Sequence, residues 1–274
     1  MSKFTVGLLQ LSSSNEVLPN VAAIEHQTRL AHAAGAELVM TPENSTLVGA
    51  NRADTMAKAL PEDAHPGLAS ARALARELRI WFLIGSIHVR VDGERCANRS
   101  YLIDADGGVV ASYDKMHMFD AQLASGEVYR ESAAFRPGDR AVVAETPWGR
   151  LGMSICYDMR FPGLYLAMAR AGAVMLSVPS SFTVPTGRAH WHVLLRARAI
   201  ETGCFVFAPA QVGAHAGGRT TYGHSVVISP WGDVLADAGE SGPGMITAEV
   251  DLARVEDARR AVPSLQHGRS FDGP

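Results

Sequence analysis

Ala33-Ala34-Gly35-Ala36-Glu37-Leu38-Val39-Met40 returns later in the chain as Ala169-Arg170-Ala171-Gly172-Ala173-Val174-Met175-Leu176. Each copy is the end of a helical segment, a glycine, and an apolar run. Glycine takes the left-handed conformation that closes a helix. A short, continuous apolar run after it reads as a buried strand. Both copies lead into proline-containing segments, Thr41-Pro42-Glu43 and Val178-Pro179-Ser180. The elements that follow also correspond. In the first half they are a helix opening at Pro66, a strand over 80–85, and strands over 99–105 and 109–113 flanking Asp106-Gly107-Gly108. In the second they are a helix from about Arg188 to Thr202, a strand over 204–208, and strands over 224–229 and 234–237 flanking Pro230-Trp231-Gly232-Asp233. Two half-units, each a sheet with helices on one side, bury their remaining sheet faces against each other. The pattern predicts an α/β fold, a four-layer α-β-β-α sandwich with its site at one end of the sheets. No linker composition interrupts it. A single domain is expected over 1–274, with a core of about 4–261 and a short tail over 262–274 that holds Pro263, Gly268 and Gly273.

The second half opens on Gly149-Arg150-Leu151-Gly152-Met153-Ser154-Ile155-Cys156-Tyr157-Asp158-Met159-Arg160-Phe161-Pro162. Leu151, Met153 and Ile155 alternate with other residues, as in a strand packed on one face. Pro162 suits the first turn of a helix. The strand is expected to stop at Cys156 and turn at once into that helix. There the sulfur would lie near helix N-terminal N–H groups, which favour a thiolate. A lone cysteine is more often buried structure, so a nucleophile needs partners elsewhere in the chain.

Two partners follow apolar runs. Glu43 lies in Val39-Met40-Thr41-Pro42-Glu43-Asn44, and Lys115 lies in Ala111-Ser112-Tyr113-Asp114-Lys115-Met116-His117-Met118-Phe119-Asp120. Each is expected at the C-terminal end of a strand. A Glu, a Lys and a Cys in this order, in the contexts P-E-N, Y-x-K-x-H-x-F-D and C-Y-D-x-R-F-P, resemble the nitrilase (carbon–nitrogen hydrolase) superfamily. The resemblance runs from Phe4 to about Phe271 and is strongest toward the Nit branch. Phe182-Thr183-Val184-Pro185-Thr186-Gly187-Arg188-Ala189-His190-Trp191, followed by Leu194 to Thr202, strengthens it. The resemblance implies the same sandwich fold and a homodimer or higher homo-oligomer, with the helices beginning near Pro162 and Arg188 as candidate contacts.

The chemistry follows from the residue types. Amide cleavage needs a nucleophile, a proton carrier and stabilisation of the tetrahedral oxyanion. Cys156 would attack, Glu43 would carry the proton, and Lys115 with the backbone N–H of Tyr157 would face the oxyanion. An ordinary carboxylate is a weak base at neutral pH, so burial is expected to raise Glu43 to roughly 6–7. Glu131, sixteen residues after Lys115, resembles the superfamily's second glutamate and is expected to bond the lysine and position the amide. Arg160 either clamps a substrate carboxylate or pairs with Asp158. Thr183 would add a hydroxyl to the same carboxylate. His190 with Trp191 either lines the pocket or packs. The irregular stretch 116–139 beside Lys115 is read as a lid or pocket wall. The resemblance implies a thiol amidohydrolase that releases ammonia from a small linear amide carrying a carboxylate and often an α-keto group, such as deaminated glutathione or α-ketoglutaramate. An N-carbamoyl-amino-acid hydrolase or a nitrilase is the alternative within the superfamily. A catalytically silent interaction protein is the alternative outside it, opposed by the intact Glu43, Lys115 and Cys156.

Composition agrees with an enzyme of small molecules. The chain has 274 residues, 47% hydrophobic and 19% charged, with a formal net charge of −3. That balance carries no nucleic-acid or membrane footprint. Three cysteines, an odd number, argue for a reducing compartment. With no leader-like start and no run long enough to span a bilayer, a cytoplasmic location is expected. Cys204 reads as core and Cys96 as an incidental residue of a turn. Neither H-E-x-x-H nor a paired C-x-x-C is present, and Gly107-Gly108 and Gly217-Gly218 read as turns. No cofactor and no metal are expected.

Overall fold

The computed structural model describes residues 3–122 and 126–273. The first half runs β1 (Lys3–Gln10), α1 (Val17–Ala33), β2 (Leu38–Met40), α2 (Arg52–Lys58), α3 (Pro66–Leu78), β3 (Trp81–Arg90), β4 (Cys96–Ile103) and β5 (Val109–Asp114). A small hairpin follows, β6 (Asp120–Gln122) and β7 (Val128–Arg130). The second half runs β8 (Val142–Thr146), β9 (Gly149–Met153), α4 (Pro162–Arg170), β10 (Ala173–Ser177), α5 (Val184–Thr202), β11 (Phe205–Ala208), β12 (Val212–Ala214), β13 (Thr220–Tyr222), β14 (Val226–Ile228) and β15 (Val234–Asp237). The chain closes with β16 (Gly244–Asp251), α6 (Ala253–Ala261) and α7 (Ser264–His267).

The strands form two six-stranded sheets, ordered β16-β1-β2-β3-β4-β5 and β15-β14-β11-β10-β9-β8. Their plans match strand for strand. Three parallel strands sit in the middle of each, β1-β2-β3 and β9-β10-β11, and antiparallel strands flank them on both sides. The repeat at 33–40 and 169–176 delivers β2 and β10, the second parallel strand of each sheet. One flanking strand breaks the sequence order. β16 returns from the far end of the chain to pair with β1 over its whole length, from Lys3 opposite Asp251 to Gln10 opposite Gly244.

Strand alternation divides the core into layers. Phe4, Val6 and Leu8 of β1, Leu38 and Met40 of β2, and Leu83 of β3 belong to the inter-sheet core with Leu151, Met153 and Phe207. Phe4 stacks on Trp148 at 4.3 Å and meets Phe207 edge-on. The intervening Leu9, Val39, Phe82 and Ile84 pack outward with Ile24 and Ala31 of α1 and Leu68, Ala71 and Ala75 of α3. Gly7 also faces outward, where an added Cβ would stand 2.9 Å from that of Ala36. The expected four-layer sandwich is the observed one.

Several local expectations change. α5 begins at Val184 rather than near Arg188, with Pro185 in its first turn. A 3₁₀ turn over Cys156–Arg160 intervenes between β9 and α4, so the strand does not pass directly into the helix. The stretch 116–139 is less irregular than its sequence, because it contains the β6–β7 pair and a 3₁₀ turn at Glu131–Ala133. Residues 123–125 of that stretch lie outside the described residues. Cys96 is not in a turn. It is buried at the start of β4, with its sulfur 3.5 Å from Met56 Sδ. Cys204 is core, as expected. The expected tail includes α7, whose Leu265 packs against the inter-sheet cluster. Among the described residues no helix is long and apolar enough to cross a membrane.

Candidate active site

Glu43 comes from the turn after β2. That turn is drawn tightly against β3, with the Gly85 N–H donating to Thr41 Oγ1 at 2.8 Å. A Cβ on Gly85 would fall 1.8 Å from the Thr41 carbonyl oxygen, so only glycine permits the approach. The buried Glu43 carboxylate is fully engaged. Oε1 accepts from Lys115 Nζ at 2.8 Å and Asn98 Nδ2 at 3.0 Å, and Oε2 accepts from the Ser181 N–H at 2.9 Å.

Lys115 follows β5 directly, and its N–H donates to the Asn98 carbonyl at 3.0 Å. Its ammonium also donates to both Glu131 oxygens at 2.8 Å. Glu131 is fixed in turn by the Phe119 N–H at 2.6 Å and by Asn98 Nδ2 at 3.3 Å. Burial works against the charge on Lys115. The carboxylates of Glu131 and Glu43 overcome it and push the lysine pKa above its ordinary value.

Cys156 opens the 3₁₀ turn with φ +50°, the left-handed region that a residue with a Cβ enters only at a cost. Its N–H donates to the Pro179 carbonyl at 2.9 Å. Two residues on, the buried Asp158 carboxylate secures the turn. It accepts from the Ile155 N–H at 2.8 Å, the His117 N–H at 3.0 Å and the Tyr113 hydroxyl at 2.7 Å.

The Cys156 thiol is buried beside the Glu43 carboxylate, and each perturbs the other. Two expectations are corrected by this contact. Burial and the neighbouring Glu43 charge push the thiol pKa up, so the resting sulfur is a protonated thiol rather than a thiolate. Burial alone would raise Glu43 as well. The charge and hydrogen bond of Lys115, with the charge of Arg219, outweigh it and hold the carboxyl below its ordinary value instead of near 6–7. The resting pair is therefore an ionised carboxylate beside a neutral thiol.

A cavity of about 530 Å³ opens over this group. The 116–139 stretch supplies one wall, including Phe119, Val128, Tyr129 and Phe135. Arg160 and Thr183 also line the cavity. Arg160 does not pair with Asp158. Its guanidinium lies 5.8 Å from the Tyr157 ring centroid and 5.5 Å from that of Phe182, with Nη2 3.2 Å from His190 Nδ1. Thr183 Oγ1 is 2.7 Å from Thr186 Oγ1. His190 is exposed and is not part of the cavity lining. Among the described residues its contact with the site is the one to Arg160. Trp191 packs in the core against Phe182.

Three participants have no counterpart in the sequence reading. Asn98 joins the two glutamates. Gln211 Nε2 donates to the Glu43 carbonyl at 3.0 Å and ties the second half of the chain to the first. Arg219 lies 5.7 Å from the Tyr129 ring centroid and donates through Nη2 to the Ser181 carbonyl. Its buried Nε has no hydrogen-bond partner among the described residues. Asn98 stands in the polar run Asn98-Arg99-Ser100 of β4, which does not single it out, and the signal for Arg219 is a cation after a diglycine.

The carbon–nitrogen hydrolase family model matches residues 5–260, and the chain belongs to that family. It is a hydrolase that acts on carbon–nitrogen bonds of amides. Deaminated glutathione amidase from Yersinia enterocolitica is 40% identical over 98% of this chain and 94% of its own length. The human protein of the same name is 39% identical over 96% and 82%. Among solved structures, Saccharomyces cerevisiae Nit3, of branch 10 of the nitrilase superfamily, superposes with a TM-score of 0.84 at 30% identity, covering 96% of this chain and 95% of that one. A mutant of the amidase from Nesterenkonia sp. AN1 superposes with a TM-score of 0.80 at 26% identity over 95% of this chain and 98% of that one. It carries the product of Michael addition of acrylamide at its active-site cysteine.

Proposed function

We propose that this chain is a thiol amidase of carboxylate-bearing amides, with deaminated glutathione as the leading substrate and α-ketoglutaramate as the smaller alternative. The observation that carries the reading is Lys115 Nζ, 2.8 Å from Glu43 Oε1 and from both oxygens of Glu131, with the buried Cys156 thiol in the same cavity. In the first half-reaction Sγ attacks the amide carbon as its proton passes to Glu43. The oxyanion is met by Lys115 and the Tyr157 N–H. Glu43 then returns the proton to the departing nitrogen, the C–N bond breaks and a thioester remains. In the second, Glu43 takes a proton from water, the hydroxide oxygen bonds to the thioester carbon, and the thiol leaves with that proton. Glu131 holds Lys115 throughout and orients the amide. The expected release of ammonia holds for α-ketoglutaramate and is corrected for deaminated glutathione, whose amide nitrogen belongs to a peptide and leaves as a peptide amine.

Two features support a substrate with a carboxylate at each end. The cavity is large for a simple amide. Two of the cations in its lining, Arg160 and Arg219, rest on different aromatic rings, and Arg219 has an uncommitted buried N–H. A charge-assisted contact to either contributes on the order of 1.5–3 kcal/mol. Thr183 is assigned to the Arg160 end. The test is a comparison of kcat/KM on deaminated glutathione, α-ketoglutaramate, an N-carbamoyl amino acid and a nitrile. A higher value on either of the last two overturns the assignment.

We also infer a cytoplasmic homodimer. The three described cysteines are free thiols, which suits a reducing compartment. Val193 (67% exposed) and Ile200 (54%) lie two turns apart on one face of α5 beside Trp231 (58%), an apolar surface of the kind a second copy covers.

A further inference from the structure

We propose that His192, His224 and Asp237 form a binding site for a divalent transition-metal ion of the zinc class, separate from the Cys156 cavity. The three residues come from α5, the turn between β13 and β14, and the end of β15. Their ligand atoms all lie within 4.8 Å of one another. His192 Nε2 is 2.8 Å from Asp237 Oδ2, and His224 Nδ1 is 2.9 Å from Asp237 Oδ1. Ligands on a tetrahedral zinc ion stand about 2.0–2.1 Å from the metal and therefore about 3.3 Å from one another. Measured to Asp237 Oδ2 alone, the two histidine nitrogens stand 2.8 and 3.1 Å away and need to open by a few tenths of an ångström, while the two nitrogens, within 4.8 Å of each other, need at most to close toward that spacing. Two histidines and one carboxylate are a familiar zinc donor set, with water in the fourth position. The side chains of His192, His224 and Asp237 keep 30%, 18% and 28% exposure, so an ion and its water have access.

The competing explanation is two neutral imidazoles donating to one carboxylate, and it fits His224 poorly. Its Nε2 is buried without a hydrogen-bond partner among the described residues, and Glu240 Oε1 stands 3.7 Å away. If Nδ1 carries the proton toward Asp237, Nε2 turns a lone pair toward a second carboxylate. With Nδ1 on a metal, Nε2 carries the proton and faces Glu240. That is the outer carboxylate that metal-ligating histidines commonly have. The backbone supports the same placement. His224 has φ +56°, costly for a residue with a Cβ. It is held there by its N–H donating to the Gly239 carbonyl and by Trp191 Nε1 donating to its own carbonyl, both at 2.9 Å. Trp191 packs on Phe182 of the cavity wall at 5.1 Å. An ion here would brace α5 and β15 behind that wall, a structural task with no step in the chemistry.

The experiment uses the full chain carrying Cys156→Ala, which removes the cavity thiol as a competing ligand, after treatment with a chelator. Co2+ is titrated while its visible d–d bands are followed, and Zn2+ is then used to displace it. One saturable ion per chain with a four-coordinate spectrum is expected, and Zn2+ should raise the melting temperature. His224→Ala and Asp237→Asn should abolish both effects. Glu240→Gln should weaken binding by about 10–100-fold. Should His224→Ala fail to fold, His192→Gln, on the partly exposed side of α5, carries the test alone. Absence of saturable binding, or binding that survives both His192→Gln and Asp237→Asn, overturns the site.

Discussion

The Tyr113 hydroxyl donates to the Asp158 carboxylate across 2.7 Å and so joins the strand that carries Lys115 to the turn that carries Cys156. Both residues are buried. Hydrogen bonds to buried charges contribute about 1.5–3 kcal/mol, and an orphaned carboxylate oxygen costs more than the bond alone. Tyr113→Phe should lower unfolding stability by roughly that amount in urea titrations. It should also lower kcat more than it raises KM, because the turn loses its hold on the nucleophile. A stability loss with unchanged kcat would confine the contact to the fold.

Cys156→Ala should abolish turnover while the circular dichroism spectrum persists. Acrylamide offers an independent check, since a mutant of the Nesterenkonia amidase carries its Michael adduct at the active-site cysteine. Intact-mass spectra of the wild type under acrylamide should show one adduct at most, and Cys156→Ala should show none. Cys96 and Cys204 are buried away from the cavity.

The pH profile follows from Glu43. Its carboxyl is held below its ordinary value of 4.5, so the base is ionised well above that point. The acid limb of kcat/KM should fall below about pH 4.5, with no loss of base between pH 6 and 7. The linked stability has the same sign. A carboxyl depressed on folding adds stability above its unfolded pKa, and that stability is lost as pH falls through the depressed value. Arg219→Gln removes one depressing charge and should move the limb toward neutrality. A wild-type midpoint near 6–7 would mean that burial outweighs Lys115 after all.

Arg160→Met should lower kcat/KM for deaminated glutathione or α-ketoglutaramate by roughly 10–100-fold, and that for propionamide much less. Arg160→Lys should recover only part of the loss, because an ammonium lacks the planar fork. Equal losses on charged and uncharged amides would place Arg160 in the support of the turn.

Ile200→Glu, on the exposed face of α5, should convert a dimer to monomer in sedimentation velocity if that face joins two copies. A wild-type monomer at micromolar concentration would count against the homodimer.

Glu43, Lys115 and Cys156 were legible because each follows an apolar run in a context that resembles the family's motifs, and Glu131 from its spacing after Lys115 in the same resemblance. Such a run fixes a strand, and a strand fixes where its last side chain emerges. The sandwich was legible from the repeat at 33–40 and 169–176. Other features depend on what stands opposite. Asn98 reads as a solvated strand residue until Glu43 and Glu131 face it. Arg219 reads as part of a glycine-rich turn until its guanidinium lies against Tyr129. The direction of the Glu43 shift was missed because an apolar context shows burial but not that Lys115 Nζ stands 2.8 Å from the carboxylate, nor that Arg219 adds its charge. β16 escaped notice because its largely half-buried pattern marks an edge strand with no apolar run of its own.

That edge strand orders events during synthesis. A ribosome has made Glu43, Lys115 and Cys156 long before it reaches residues 244–251. Until those emerge, β1 has no neighbour on one side, and its backbone N–H and C=O groups remain available to any extended chain nearby. The nascent polypeptide thus carries an adhesive margin until residues 244–251 arrive to seal it.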